Sequence, residues 1–198
     1  TDLKPQLSTF WSLSGKKIRL IDSNYDHSGG SPVFTVEGNY TTRGWTEWTQ
    51  GFEFGSGILQ FEATGDEWFL EFARDNTLSR MAPHLSHFGV HDHGFNNVST
   101  YGNLLRLHES GICTGNKWES EFYRLALKLS GAVQAKRWTR TENGGFIHSF
   151  NGPHSLFVDT IRSCRSLAIA HLLGHRYMDE GDREISILGR LIQHARAT

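Results

Sequence analysis

The chain has 198 residues, 37% of them hydrophobic and 21% charged, with 20 basic and 21 acidic side chains. A net charge of -1 gives no basic field for nucleic acid or for an anionic membrane surface. No apolar run approaches the ~20 residues that cross a bilayer, since the longest candidate, Leu167 to Leu173, is interrupted by His171.

The opening Thr1-Asp2-Leu3-Lys4-Pro5 lacks a leader pattern. A first helix is predicted over roughly Leu7 to Ile21, followed by a Gly/Ser/Thr-rich loop from Asp26 to Gly44. Three segments with one layout come next. The first runs from Trp48-Thr49-Gln50-Gly51-Phe52 to Ala63-Thr64-Gly65, and Asp66-Glu67-Trp68 opens its partner helix. The second runs from His91-Asp92-His93-Gly94-Phe95 to Glu109-Ser110-Gly111, and Gly115-Asn116-Lys117-Trp118 opens its partner. A β-ribbon is predicted over Lys136 to Phe150, turning at Asn143-Gly144-Gly145. The third segment runs from Val158-Asp159-Thr160 to Leu172-Leu173-Gly174, and Glu180-Gly181-Asp182 opens its partner. Each first helix ends at Gly, which supplies the left-handed cap, and each partner begins after Asp or Asn, which caps the new helix.

Apolar spacing supports helices throughout. Trp118, Phe122, Leu125 and Leu129 follow a three-four pattern, as do Val98, Tyr101 and Leu105. So do Ile161, Cys164, Ala168 and Leu172, and Ile185, Leu188, Ile192 and Ala195. Gly51, Gly55, Gly57 and Ala63 keep the first inner helix thin enough for close packing. If every hairpin goes out on an inner helix and returns on an outer one, all inner helices start at the same rim. Trp48, Asp92 and Asp159 then converge there, although they lie far apart in sequence. No linker interrupts the chain, so residues 1–198 read as a single domain.

Two carboxylates at one rim can divide acid and base roles when burial or mutual repulsion separates their affinities for protons. Either Asp also fits a plain helix cap. His91 and His93 flank Asp92, but no third ligand stands at metal-binding spacing, so no catalytic metal is expected. These two histidines are expected at the rim, as substrate contacts or caps, and His171, His175 and His194 as packing or surface residues on helices. His84 and His87 lie in a loop after Pro83 with no assignable partner. Cys113 and Cys164 have no Cys-x-x-Cys spacing, which argues against a disulfide framework or a cysteine zinc site. There is no Gly-x-Ser-x-Gly elbow, no phosphate loop and no dinucleotide fingerprint, so serine hydrolysis, phosphoryl transfer and hydride transfer have no support. Aromatic residues make up 12% of the chain, which suits stacking on sugar rings and equally suits an aromatic core.

Four stretches, Trp48-Thr49-Gln50-Gly51-Phe52, His91-Asp92-His93-Gly94-Phe95, Gly145-Phe146-Ile147-His148-Ser149-Phe150 and Val158-Asp159-Thr160, together resemble glycoside hydrolase family 88, the unsaturated glucuronyl hydrolases. The likeness covers most of residues 45 to 196. It implies an all-α (α/α)6 barrel, of which this chain supplies about the first half as a partial catalytic domain. It implies oligosaccharides with a 4,5-unsaturated uronic acid at the non-reducing end, and hydration of the vinyl ether without a cofactor. By the resemblance, Asp159 is the acid/base that protonates C4 and activates water for C5, and Asp92 is the second carboxylate. His91 matches a substrate-contacting histidine, and Trp48 and Phe150 match aromatics against the sugar. It further implies a cytoplasmic or periplasmic protein of bacterial type. Phe150 stands where Trp is expected, and Glu53-Phe54 alters the run after Gly51-Phe52. The alternatives are a related rhamnogalacturonyl hydrolase or other uronate-specific enzyme of this fold, and a non-catalytic carbohydrate-binding helical-repeat protein.

Overall fold

The structure is a computed structural model that describes residues 2–43, 48–113 and 115–198. Gly44, the last residue of the expected loop, and residues 45–47, which begin the stretch carrying the resemblance, lie outside it. The described chain is mostly helical. Helix α1 (Lys4–Asn24) precedes a small hairpin, β1 (Phe34–Val36) and β2 (Asn39–Thr41), paired in register Phe34 to Thr41. This hairpin stands where the sequence predicts only loop. Helices α2 (Gln50–Thr64), α3 (Glu67–Arg80) and α4 (Ala82–Ser86) follow. A π-helical stretch, Gly94–Gly102, runs into α5 (Asn103–Glu109), and α6 (Lys117–Lys136) returns beside it. The ribbon β3 (Trp138–Thr141) and β4 (Gly144–Ile147) pairs Thr141 with Gly144, so its turn is Glu142-Asn143. Helices α7 (Thr160–Ser163) and α8 (Arg165–Leu172) lead to the hairpin β5 (Tyr177–Asp179) and β6 (Arg183–Ile185), and then to α9 (Ile187–Ala197).

Local signals account for the first two hairpins. Gly65 adopts φ 71° at the end of α2, and the Asp66 carboxylate accepts the Trp68 N–H at 3.2 Å to start α3. Asn116 accepts the Glu119 N–H at 3.0 Å to start α6. The third hairpin departs from its expected form. Glu180-Gly181-Asp182 is the turn between β5 and β6, with φ 69° at Gly181 and 55° at Asp182, and opens no helix. Helix α9 starts seven residues after Glu180, capped by the Ser186 hydroxyl, which accepts the Gly189 N–H at 2.9 Å. Ile185 therefore belongs to a strand, and His175 lies in the connection after α8 rather than on a helix.

The stretch Gly94–Gly102 is wider than an α-helix. The Asn103 N–H reaches back five residues to Val98 O, and the Thr100 hydroxyl donates to Asn96 O at 2.7 Å. Polar side chains in this stretch compete with the regular ladder. Wide helical turns of this kind often mark functional positions.

One core lies between α2, α3, α5 and α6, built on Phe54, Ile58, Phe69, Tyr101, Leu104, Leu107 and Leu127. Each fully buried side chain of this size contributes about 1.5–3 kcal/mol. A second core joins α6, β4, α8 and α9 through Ala135, Ile147, Leu167, Ala170 and Ile187. Of the predicted face of α6, Phe122 packs half-buried against the core, and the rest faces outward. Trp118, Leu125 and Leu129 are exposed, whereas Glu119, Tyr123, Ala126, Leu127, Ser130, Gly131 and Gln134 are buried. In α9 likewise, Leu188 and Ile192 are exposed while Ile187 and His194 are buried.

Glycines allow α2, the π-helical stretch and α7 to touch backbone to backbone. A Cβ at Gly51 would stand 2.3 Å from Asn96 Cα, which joins α2 to the π-helical stretch. The Asn96 carboxamide oxygen accepts the Gly51 N–H there at 2.9 Å. A Cβ at Gly94 would stand 2.5 Å from Ser163 Cα, which joins the same stretch to α7. These two approaches bring the starts of α2, the π-helical stretch and α7 to one place. Among the described residues, no helix is long and apolar enough to cross a membrane.

Candidate active site

Trp48, Val90, His91, Asp92, Phe95, Phe150, Phe157, Asp159 and Arg162 line one cavity of about 470 Å³. All five residues singled out from the sequence are among them. Trp48, 51% exposed, meets Phe95 edge to face at 6.2 Å between ring centres and forms one wall. Phe150, 58% exposed, forms another with Phe157. A larger hollow of about 610 Å³ lies between α1 and the β1–β2 hairpin, lined by Lys17, Tyr25 and Tyr40 among others. It holds neither of the paired carboxylates, so size and chemistry point to different places, and chemistry is the better guide to reactivity.

The two carboxylates share one imidazole. His91 is 1% exposed and sits beneath them. Its Nε2 lies 3.0 Å from Asp159 Oδ1 and 3.6 Å from Asp92 Oδ1. Its Nδ1 accepts the Phe150 backbone N–H at 3.3 Å, so the ring proton is on Nε2 and is donated to Asp159. The imidazole stacks on Phe150, with ring centres 5.8 Å apart and planes 13° apart. The Gln134 side-chain amide donates to His91 O at 3.0 Å and fixes the residue from α6.

Neither carboxylate serves as a helix cap. Asp159 occupies the cap position of α7 but makes no side-chain cap bond, and faces His91 and Arg162 instead. The π-helical stretch after Asp92 also starts without a side-chain cap. Burial raises the Asp92 carboxyl above the ordinary aspartate value. His91 opposes that rise, the charge of Asp159 adds to it, and Arg137 and His87 oppose it more weakly.

His93 is not a rim residue. It is 2% exposed and points into the packing against α6, where Nδ1 meets Ser130 Oγ at 3.1 Å and Nε2 meets His87 O at 3.1 Å. His91 and His93 therefore face different surroundings, and the His-Asp-His run does not bring its imidazoles together. Among the described residues, no three His, Cys, Asp or Glu side chains gather as a metal site. His84, without an assignable partner in the sequence, sets Nε2 2.5 Å from Gln50 Oε1. His194 is buried, its Nδ1 accepting the Ile147 N–H at 3.2 Å.

Burial lowers His84 and His93 from about 6.5 to about 4. In the unfolded chain each takes up a proton first, so stability is full above about pH 6.5 and falls as pH drops toward 4. The loss is expected to be roughly 2–3 kcal/mol per histidine. Urea midpoints at pH 7.0 and 4.5 measure it, and replacing both histidines by Gln should flatten the profile. An equally steep profile in the double variant would assign the acid loss elsewhere.

Sequence reasoning missed three residues that build the site. Arg162, 65% exposed at its side chain, stands 3.5 Å from Asp159 Oδ2, with its guanidinium 4.8 Å from the centre of the Phe95 ring. Arg137 is 3% exposed and donates to three backbone carbonyls: Phe88 O, His148 O at 3.1 Å and Ser149 O at 2.6 Å. Gln134 holds His91. None sits in a motif, although Arg162 lies three residues after Asp159 on a predicted helix, which is a readable spacing for an ion pair.

Fold and site together define a mostly helical protein with a carboxylate pair at the floor of an aromatic-walled cavity. No family model matches the chain, and no curated protein or solved structure matches it.

Proposed function

We propose that the chain is a glycoside hydrolase domain acting on oligosaccharides that end in a 4,5-unsaturated uronic acid, by hydration of the vinyl ether. The observation that carries this reading is the joining of Asp92 and Asp159 through one buried imidazole inside an aromatic-walled cavity. Trp48, Phe95, Phe150 and Phe157 offer apolar faces to a sugar ring. Arg162 offers a cation to an acidic substrate that two carboxylates would otherwise repel.

In this reaction a carboxyl proton passes to C4, and the C4=C5 π electrons form the new C–H bond. Water adds to the electron-poor C5 and gives its proton to a carboxylate. The resulting hemiketal opens, and the aglycone leaves as an alcohol. Because the anomeric carbon is not attacked, carboxylate separation carries no stereochemical prediction. The architecture we propose is an (α/α)6 ring. It is supported by the contacts of α2 with the π-helical stretch and of that stretch with α7 and α8, while α3, α6 and α9 pack behind them.

Incubation with unsaturated uronyl disaccharides tests the proposal. Loss of the C4=C5 absorbance is the expected result. Saturable binding with no loss of absorbance would favour a non-catalytic carbohydrate-binding protein, and neither binding nor turnover would end the uronate reading.

A further inference from the structure

From the placement of the donors around the two carboxylates, we infer that His91 is a positioning residue that divides the pair, keeping Asp159 ionised and leaving Asp92 to hold the proton in the resting site. The donors are distributed unequally. Nε2–H of His91 lies 3.0 Å from Asp159 Oδ1 and 3.6 Å from Asp92 Oδ1, so one good hydrogen bond exists and Asp159 receives it. A cation, the Arg162 guanidinium, also stands on Asp159, 3.5 Å from Oδ2. A carboxylate that accepts from donors on both oxygens is held in its charged form.

Asp92 has a different surrounding. Its side chain is 13% exposed against 22% for Asp159, and it has the longer approach to the imidazole. The other groups whose charge reaches it are Arg137, His87 and the Asp159 carboxylate itself. Arg137 is committed to the three backbone carbonyls of Phe88, His148 and Ser149. Placing a second negative charge beside Asp159 in a half-closed cavity is unfavourable, so one proton stays on the pair. Burial of Asp92 acts in the same direction.

His91 cannot exchange the two partners freely. The Phe150 N–H fills Nδ1, the Phe150 ring stacks on the imidazole and Gln134 holds the backbone carbonyl. Its proton is therefore fixed toward Asp159. The consequence for the proposed hydration departs from what the family resemblance implies, since two residues share the work. The Asp92 carboxyl gives its proton to C4, and the Asp159 carboxylate takes the proton that water loses on bonding to C5. Asp92 ends ionised and Asp159 protonated, and exchange with solvent restores the resting state. The acid and base labels rest on the hydration reading, whereas the position of the proton does not.

The test needs no substrate. In protein labelled at the aspartate carboxyl carbons, a carbon NMR titration of the full chain follows both groups, assigned by Asp92→Asn and Asp159→Asn. Asp92 is expected to titrate at the higher pH of the two. His91→Phe keeps the stack but removes the donor, and the gap should narrow. His91→Gln, which retains a donor, should keep part of the gap and serves if the Phe variant does not fold. Asp159 titrating at the higher pH, or no gap at all, would overturn the inference. So would a gap that both His91 variants leave unchanged. If the gap is present but unsaturated disaccharides are not hydrated, the proton assignment stands and the hydrolase reading falls.

Discussion

Asp159→Asn is expected to abolish turnover of unsaturated substrates, by at least ~10²-fold in kcat, while leaving the thermal midpoint and substrate affinity close to those of the parent. Asn is nearly isosteric, and its carboxamide oxygen still accepts the His91 Nε2–H that now reaches Asp159 at 3.0 Å. The α7 start loses no cap, because the Asp159 side chain makes no cap bond. What disappears, in the proposed reaction, is the carboxylate that receives a proton from water. Steady-state kinetics with a binding measurement separate the two effects. Wild-type kcat in the variant would remove Asp159 from the chemistry, and a variant that neither folds nor binds would make its role structural.

Gly94→Ala should damage both stability and activity, although Gly94 carries no chemical group. The added methyl would stand 2.5 Å from Ser163 Cα and 3.0 Å from the carbonyl oxygens of Arg162 and Ser163. These are backbone atoms, so no side chain can swing away. Relief requires α7 to retreat from the π-helical stretch, at a cost of about 1–3 kcal/mol or more. That retreat carries Asp159 away from His91, and a shift of about 1 Å in a reacting group can cost ~10²-fold in rate. Gly29→Ala is the control, since among the described residues the added methyl would meet only Thr42 Cγ2, at 3.8 Å. A urea midpoint for Gly94→Ala equal to that of Gly29→Ala would show that the close approach does not constrain the fold.

Caps and helix ends were legible in the sequence because they are local. Gly65, Asp66, Gly111 and Asn116 act within one turn of chain, and each does what its residue type favours. The buried face of α6 was not legible. Trp118, Leu125 and Leu129 are large apolar residues left exposed, yet the buried face carries Glu119, Ser130 and Gln134 beside Tyr123 and Leu127. Those polar residues are buried because distant groups satisfy them. Arg74 and Tyr123 meet Glu119, Asn97 meets Ser130, and the carbonyl of His91 meets Gln134. Apolar spacing carries no record of such partners. The π-helical stretch escaped notice for a related reason, since Val98, Tyr101 and Leu105 fit a three-four spacing and are buried all the same. That Asp92 and Asp159 each stand next to a helix start was legible in the sequence, and both line the one cavity. The burial of His91 beneath them was not, because it depends on Phe150 and Gln134 arriving from elsewhere in the chain.

The clamp formed by Arg137 has a thermodynamic consequence for whatever enters the cavity. Phe150 is an exposed aromatic ring on a connecting loop, a position where a chain is ordinarily free to wander. Here the loop is fastened just before the ring, by one guanidinium on His148 O and Ser149 O and by the imidazole on the Phe150 N–H. The same guanidinium also fastens Phe88 O, in the connection after α4. The conformational freedom of this wall is thus surrendered when the chain folds. A ligand ring settling against Phe150, as the proposed function requires of a sugar, meets a surface already stiff, and the entropy of ordering it is not charged again to binding.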